Sequence, residues 1–243
     1  YDGGDTQVMQ GVLASFDSYG TFALNQQVFT IMSYNDGWPL GPDGLTPSLD
    51  YGFASTPMAL DIARLQMLYG ADATRNAGNT TYTISDAAQR YSAIWDTGGT
   101  DTIAYAGAGN AVINLNSATL QSEIGGGGVV SYVRGVFGGF TIANGVVIGN
   151  ARGGSGNDVL RGNSVANQLS GGGGSDNGGG GTTSRLQSGL AFVSRTRARP
   201  WGEDGGEVAA ALDALGGGGV AGVSGEVCAT DDGAERAPLL VGV

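Results

Sequence analysis

Gly153-Gly154-Ser155-Gly156-Asn157-Asp158-Val159-Leu160-Arg161 fills every fixed position of the nonapeptide G-G-x-G-x-D-x-U-x, in which U is a large apolar residue. Few patterns restrict a chain as tightly. The glycines allow backbone turns that a Cβ would block, so main-chain carbonyls and the Asp158 carboxylate can converge on one hard cation. Leu160 then points inward from a very short strand. One such turn supplies only about half of the oxygen ligands that calcium takes, and a neighbour must supply the rest. Two nonapeptides make one full coil of a parallel β-roll, which places the partner turn eighteen residues on, where Gly171-Gly172-Gly173-Gly174-Ser175-Asp176 begins. Between the two, Gly162, Asn167 and Leu169 keep the register without an aspartate. The spacing predicts calcium between the turns, held by Gly153, Gly154, Gly156 and Asp158 of one and Gly171, Gly172, Gly174 and Asp176 of the other. A flexible glycine-rich linker is the alternative.

Composition agrees with a cation-collecting chain. The 47 glycines among 243 residues follow no G-X-Y period, which excludes collagen and leaves repeats or disorder. The net charge of −11, with no lysine and no histidine, opposes nucleic-acid binding. A single cysteine, Cys228, cannot close an intramolecular disulfide, so calcium is the expected staple outside the cell. No apolar run reaches the roughly 18 residues of a membrane-spanning helix, which predicts no membrane insertion, and Tyr1-Asp2-Gly3-Gly4 is not a signal peptide. The start reads as the interior of a longer protein.

Along the chain, Val8 to Phe16 suits a short helix or strand. Val28-Phe29-Thr30-Ile31-Met32-Ser33-Tyr34 runs into an Asn35-Asp36-Gly37 turn, and Trp38 to Gly52 suits an ordered surface loop. A helix is predicted from Pro57 to Tyr69, with Thr56 as N-cap, Pro57 at the first helical position and Gly70 as the stop. Its apolar stripe is Met58, Ile62, Leu65 and Leu68. Short segments rich in branched residues follow at Thr81–Ile84, Tyr91–Trp95, Thr102–Tyr105, Val112–Leu115 and Phe140–Ile148, an all-β pattern.

Thr30 to Tyr34, together with Thr56-Pro57-Met58-Ala59-Leu60-Asp61-Ile62-Ala63-Arg64-Leu65-Gln66-Met67-Leu68-Tyr69-Gly70, resembles the serralysins, secreted bacterial zinc metalloendopeptidases of the metzincin group. The resemblance implies that Met32 forms the turn beneath the zinc. It also implies that Tyr34 is the tyrosine that ligates zinc at rest and stabilises the oxyanion in catalysis. Taken alone, the Met32-Ser33-Tyr34 tripeptide is better read as a buried strand methionine, and only its combination with the helix and the downstream repeats is specific. Ala93 to Ile103 is similar to the family's W-D-x-G-G-x-D-T calcium segment, implying Asp96 and Asp101 as carboxylate ligands and Gly98 and Gly99 as carbonyl positions. Arg75, Gly78 and Thr80 resemble its R-x-G-x-T, with one extra residue before Gly78. Val146-Val147-Ile148-Gly149-Asn150-Ala151 departs from the family's T-I-E-N-A, so one family calcium site is expected to be weak or absent.

The family's zinc motif, H-E-x-x-H-x-x-G-x-x-H, has no counterpart in a sequence without histidine. Tyr1-Asp2-Gly3-Gly4-Asp5 looks like the stretch after it, and this chain is expected not to cleave peptides by itself. Family membership further implies bacterial type I-like secretion, a monomer, extracellular protein substrates and a proteinaceous inhibitor as a possible partner.

The expected fold is mainly β: the C-terminal remnant of a metzincin α+β protease domain over 1–70, then a calcium-binding parallel β-roll over 71–177. Past residue 177 the composition changes. All nine tyrosines and every asparagine lie at or before it, four of the five glutamates lie after Gly202, and Arg195, Arg197 and Arg199 form a basic knot. A disordered or frameshifted tail over 178–243 is expected, with a short helix at Glu207–Leu215 as another option. Its Pro238-Leu239-Leu240-Val241-Gly242-Val243 end lacks the acidic residue of the family's secretion signal. A non-enzymatic calcium-binding adhesion module is the competing function, distinguished by having no use for residues 30–70. A lipase or epimerase would need a G-x-S-x-G elbow or a sugar groove, and Gly153 to Asn157 fails that motif by one position.

Overall fold

Branched and aromatic residues in runs of three to six, separated by glycine and asparagine, leave little choice but short strands joined by tight turns. A computed structural model describes residues 9–44, 51–87 and 89–179, and the backbone of 184–188. The described chain is mainly β with one helix. The strands are β1 (Phe53–Ala54), β2 (Thr81–Thr83), β3 (Arg90–Ile94), β4 (Thr102–Ala104), β5 (Ala111–Asn114) and β6 (Ser131–Val133). They continue with β7 (Gly139–Ile142), β8 (Asn150–Arg152), β9 (Val159–Arg161), β10 (Asn167–Gly172), β11 (Asn177–Gly179) and β12 (Ser184–Ser188). The helix, α1, is Ala59–Tyr69.

Two sheets face each other. One has seven strands in the order β1-β3-β7-β6-β5-β9-β11, the other five in the order β12-β10-β8-β4-β2. From β8 to β12 the chain alternates between them strand by strand, so the connecting turns stack along two edges. All pairings are parallel except those of β6 with β5 and β7. The eighteen-residue period is met: Val159 lies beside Asn177, and Asn150 beside Gln168. Inward residues from both sheets, Ile103, Ile113, Ala151, Leu160 and Leu169 among them, fill one core with Tyr91, Ile142 and Ile148.

Several sequence expectations move. Helix α1 starts at Ala59 with Met58 as its N-cap, because the Thr56 hydroxyl accepts the Ala93 N–H at 3.0 Å instead of capping, and Asp61 accepts the Met58 N–H at 2.8 Å. Of the stripe, Met58 and Ile62 are buried, while Leu65 and Leu68 are exposed. Residues 9–16 form turns, neither helix nor strand. The predicted strand Phe140–Ile148 ends at Ile142, since Asn144-Gly145 turns the chain with Gly145 at φ +79°. The strands β11 and β12 run on beyond residue 177, where the composition changes. The arginine knot, the Glu207–Leu215 helix and the chain end lie outside the described residues, as do Tyr1 to Asp5 and Pro47.

Candidate metal centre

Three turns stack along one edge: 105–110, 153–158 and 171–176. Each lies so close on the last that side chains are excluded. A Cβ on Gly154 would overlap the Gly107 carbonyl oxygen, and one on Gly172, which sits at φ +91°, would overlap that of Gly154. Gly156 and Gly174 repeat this against Gly109 and Gly156, while Gly153 and Gly171 abut the carboxylates of Asp158 and Asp176. The acids are buried. Asp158 accepts Ala111 N–H on Oδ1 and Gly154 N–H on Oδ2, both at 2.7 Å, and Asp176 Oδ1 accepts Asp158 N–H at 3.0 Å. Burial pushes the Asp158 carboxyl above the usual carboxylate range, and neighbouring Asp176 adds to it. The Asp176 Oδ2 atom is buried with no hydrogen-bond partner. A buried carboxylate oxygen without a donor is costly, and a hard cation is the partner that such an oxygen and the surrounding main-chain carbonyls fit.

A second cluster forms where the coil begins. Thr80 N–H donates to Asp101 Oδ1 at 2.8 Å, the Thr97 hydroxyl donates to the Arg75 carbonyl at 2.8 Å, and the Thr80 hydroxyl donates to the Gly78 carbonyl at 3.1 Å. Gly99 packs on Gly78, and Gly98 N–H donates to Asp96 Oδ1 at 2.9 Å. All seven sequence-derived residues are therefore brought together. Between Arg75 and Gly78, Asn76 takes φ +50° and donates to Tyr82 Oη at 3.1 Å. Asp101 is 1% exposed; its Oδ2 has no partner, and burial raises its pKa, with Asp96 contributing. Among the described residues no three acids, histidines or cysteines converge, so any cation here would rely on main-chain oxygens beside one or two carboxylates.

The sequence profile described as "Peptidase M10 serralysin C terminal" matches residues 59–188, more than half of the chain. The chain belongs to the serralysin C-terminal family. It is 39% identical over 162 residues to Metalloprotease AprA of Pseudomonas entomophila, covering 61% of this chain and 31% of that protein. It is 35% identical over 180 residues to Serralysin of Photorhabdus luminescens, covering 68% and 34%. To Serralysin C of Dickeya chrysanthemi it is 41% identical over 152 residues, covering 57% and 29%. The chain thus spans about a third of the length of the curated relatives it matches.

In this serralysin-family chain Met32 and Tyr34 lie on an open turn, 70% and 52% exposed, with the Tyr34 ring 5.6 Å from that of Phe16. Met32 is therefore no buried strand methionine. The turn is tied to α1 through Asp61, which accepts the Thr30 hydroxyl at 2.6 Å and the Ile31 N–H at 2.8 Å. Tyr34 and Met32 alone do not fit a zinc site, because no histidine stands anywhere in the sequence. At the family's T-I-E-N-A position, Val147 is exposed and Gly149 adds no side-chain oxygen, while Asn150 N–H donates to the Asp101 carbonyl at 2.9 Å. Sequence reasoning missed the turn 105–110. Its signal was present: Gly107, Gly109 and Ile113 repeat the spacing of Gly154, Gly156 and Leu160, obscured by alanine at the aspartate position. Tyr105, whose hydroxyl donates to Asp86 at 2.6 Å and accepts Gly109 N–H at 2.9 Å, fixes that turn from within.

Proposed function

We propose that this chain is the calcium-binding C-terminal part of a secreted zinc metalloendopeptidase, folded as a parallel β-roll in which calcium bridges successive glycine turns. The observation that carries it is the unpartnered, buried Asp176 Oδ2 between turns eighteen residues apart. Gly153, Gly154, Gly156 and Asp158 with Gly171, Gly172, Gly174 and Asp176 would hold one ion. Arg75, Gly78, Thr80, Asp96, Gly98, Gly99 and Asp101 would hold another. Calcium there neutralises buried acids and fixes the turns, and contributes stability in proportion to the logarithm of its concentration over Kd.

For the intact enzyme, the zinc ligands come from sequence outside these 243 residues. Met32 would then form the turn below that centre, and Tyr34, which is exposed, would ligate zinc at rest and stabilise the developing oxyanion. The enzyme works outside the cell as a monomer on protein substrates, and a proteinaceous inhibitor is a candidate partner. Equilibrium dialysis of the full chain tests the calcium reading. Uptake at millimolar calcium, reduced by Asp176→Asn and by Asp101→Asn, supports it; no uptake in the unaltered chain sinks it.

A further inference from the structure

The opposite edge of the coil, made by the turns 144–149 and 162–167, is built from different chemistry. Neither turn contains an aspartate or glutamate. Four main-chain carbonyls at this edge, those of Leu115, Ile148, Gly149 and Gly162, each accept a hydrogen from an asparagine side chain. Asn163 Nδ2 gives one hydrogen to the Leu115 carbonyl at 3.0 Å and the other to that of Ile148 at 2.9 Å. Asn167 Nδ2 donates to the Gly149 carbonyl at 3.2 Å and to Asn163 Oδ1 at 2.9 Å, and Asn116 Nδ2 donates to the Gly162 carbonyl at 3.0 Å. The pair is reciprocal: Asn163 N–H donates to Asn167 Oδ1 at 2.9 Å, and Asn163 Oδ1 also accepts Val165 N–H at 3.2 Å. The opposite amide orientation would aim Asn163 Oδ1 at two carbonyl oxygens, so the network itself fixes which atom is nitrogen.

We infer that Asn116, Asn163 and Asn167 close this interval in place of a cation, and that this edge keeps its shape without calcium. Converging carbonyl dipoles repel one another, and something positive must lie between them. A calcium ion supplies that charge with carboxylates to balance it; amide N–H groups supply it as partial charge, with no ion to lose and no proton to titrate. Since these carbonyls already accept hydrogens, an entering cation would have to displace the donors and would find no anionic ligand. The contrast with Asp176 Oδ2, buried without a donor on the other edge, is direct. One edge thus holds the eighteen-residue register at all times, and metal binding has only the other left to order. This division of labour rests on the proposed calcium reading for the glycine–aspartate edge alone.

Hydrogen exchange on the full chain in calcium and in EGTA tests it. The amides of Asn163, Val165 and Gln168 are expected to keep their protection in both, while those of Gly154, Asp158 and Asn177 lose about tenfold or more in EGTA. Loss at Asn163 and Gln168 together with Asp158 overturns the inference. Calcium-insensitive protection on both edges supports the amide closure and counts only against the calcium reading. As a second measurement, Asn163→Ala should lower the melting temperature equally in calcium and EGTA and leave the bound-calcium count unchanged. A fall in that count would identify Asn163 as an ion ligand and overturn the inference. Should Asn163→Ala not fold, exchange in the unaltered chain decides alone.

Discussion

Asp61 shows how much one carboxylate can organise. It caps α1 at Met58 and holds Thr30 and Ile31 of the turn that carries Met32. Asp61→Ala removes the acceptor for all three donors and is expected to cost about 2–3 kcal/mol, since hydrogen bonds to a charged group contribute roughly 1.5–3 kcal/mol each and are not additive. The urea midpoint measures this. Tyr82 reports on the second cluster, at Asp96, in another way. Its phenol is pushed up to about 12 from 10.0, first by burial and then by its 2.5 Å bond to Asp96. The folded chain therefore keeps a proton that the unfolded chain gives up. This contribution is complete below pH 10 and fades as pH rises towards 12. In EGTA, with Asp96 and Asp101 free of metal, Tyr82→Phe should have a shallower fall in melting temperature across that window; an identical slope would show that the phenol does not matter there.

Among the elements, α1 separates what the sequence could show from what it could not. Helical spacing and the Gly70 stop identified it, yet the start lay two residues on because Thr56 bonds to the neighbouring strand, a partner no local pattern reveals. The periodicity of Met58, Ile62, Leu65 and Leu68 likewise does not say how much of the stripe is covered. Met58 is fully buried and Tyr69 is 82% exposed, so the helix enters the core only by its first turn and a half. Met58→Ala is accordingly expected to cost about 2–5 kcal/mol, whereas Leu68→Ala should stay within about 0.5 kcal/mol. Paired thermal melts distinguish them. The strands β2 to β5 were legible from branched residues between turn signals, while β8 was not: Asn150–Arg152 holds no branched or aromatic residue. In the candidate site, the two glycine turns that end in aspartate stood out, and the turn at 105–110 escaped because Ala111 stands after it where the others have aspartate.

At the scale of the whole molecule, the chain belongs to the serralysin C-terminal family and its sequence holds no histidine with which to bind zinc. The purified chain supplied with zinc is expected to leave casein uncut; cleavage abolished by a chelator would contradict that assignment. The stacking of turns governs how such a molecule can come apart. Gly154 is seated on Gly107 and Gly172 on Gly154, each layer using the previous one as its floor. Coupling is between neighbours only, as in other one-dimensional arrays. Erosion can then proceed from the last layer inward, one step at a time, with everything nearer the helix left standing. A bulky residue at 107 has the opposite effect, because it leaves every later layer without a foundation.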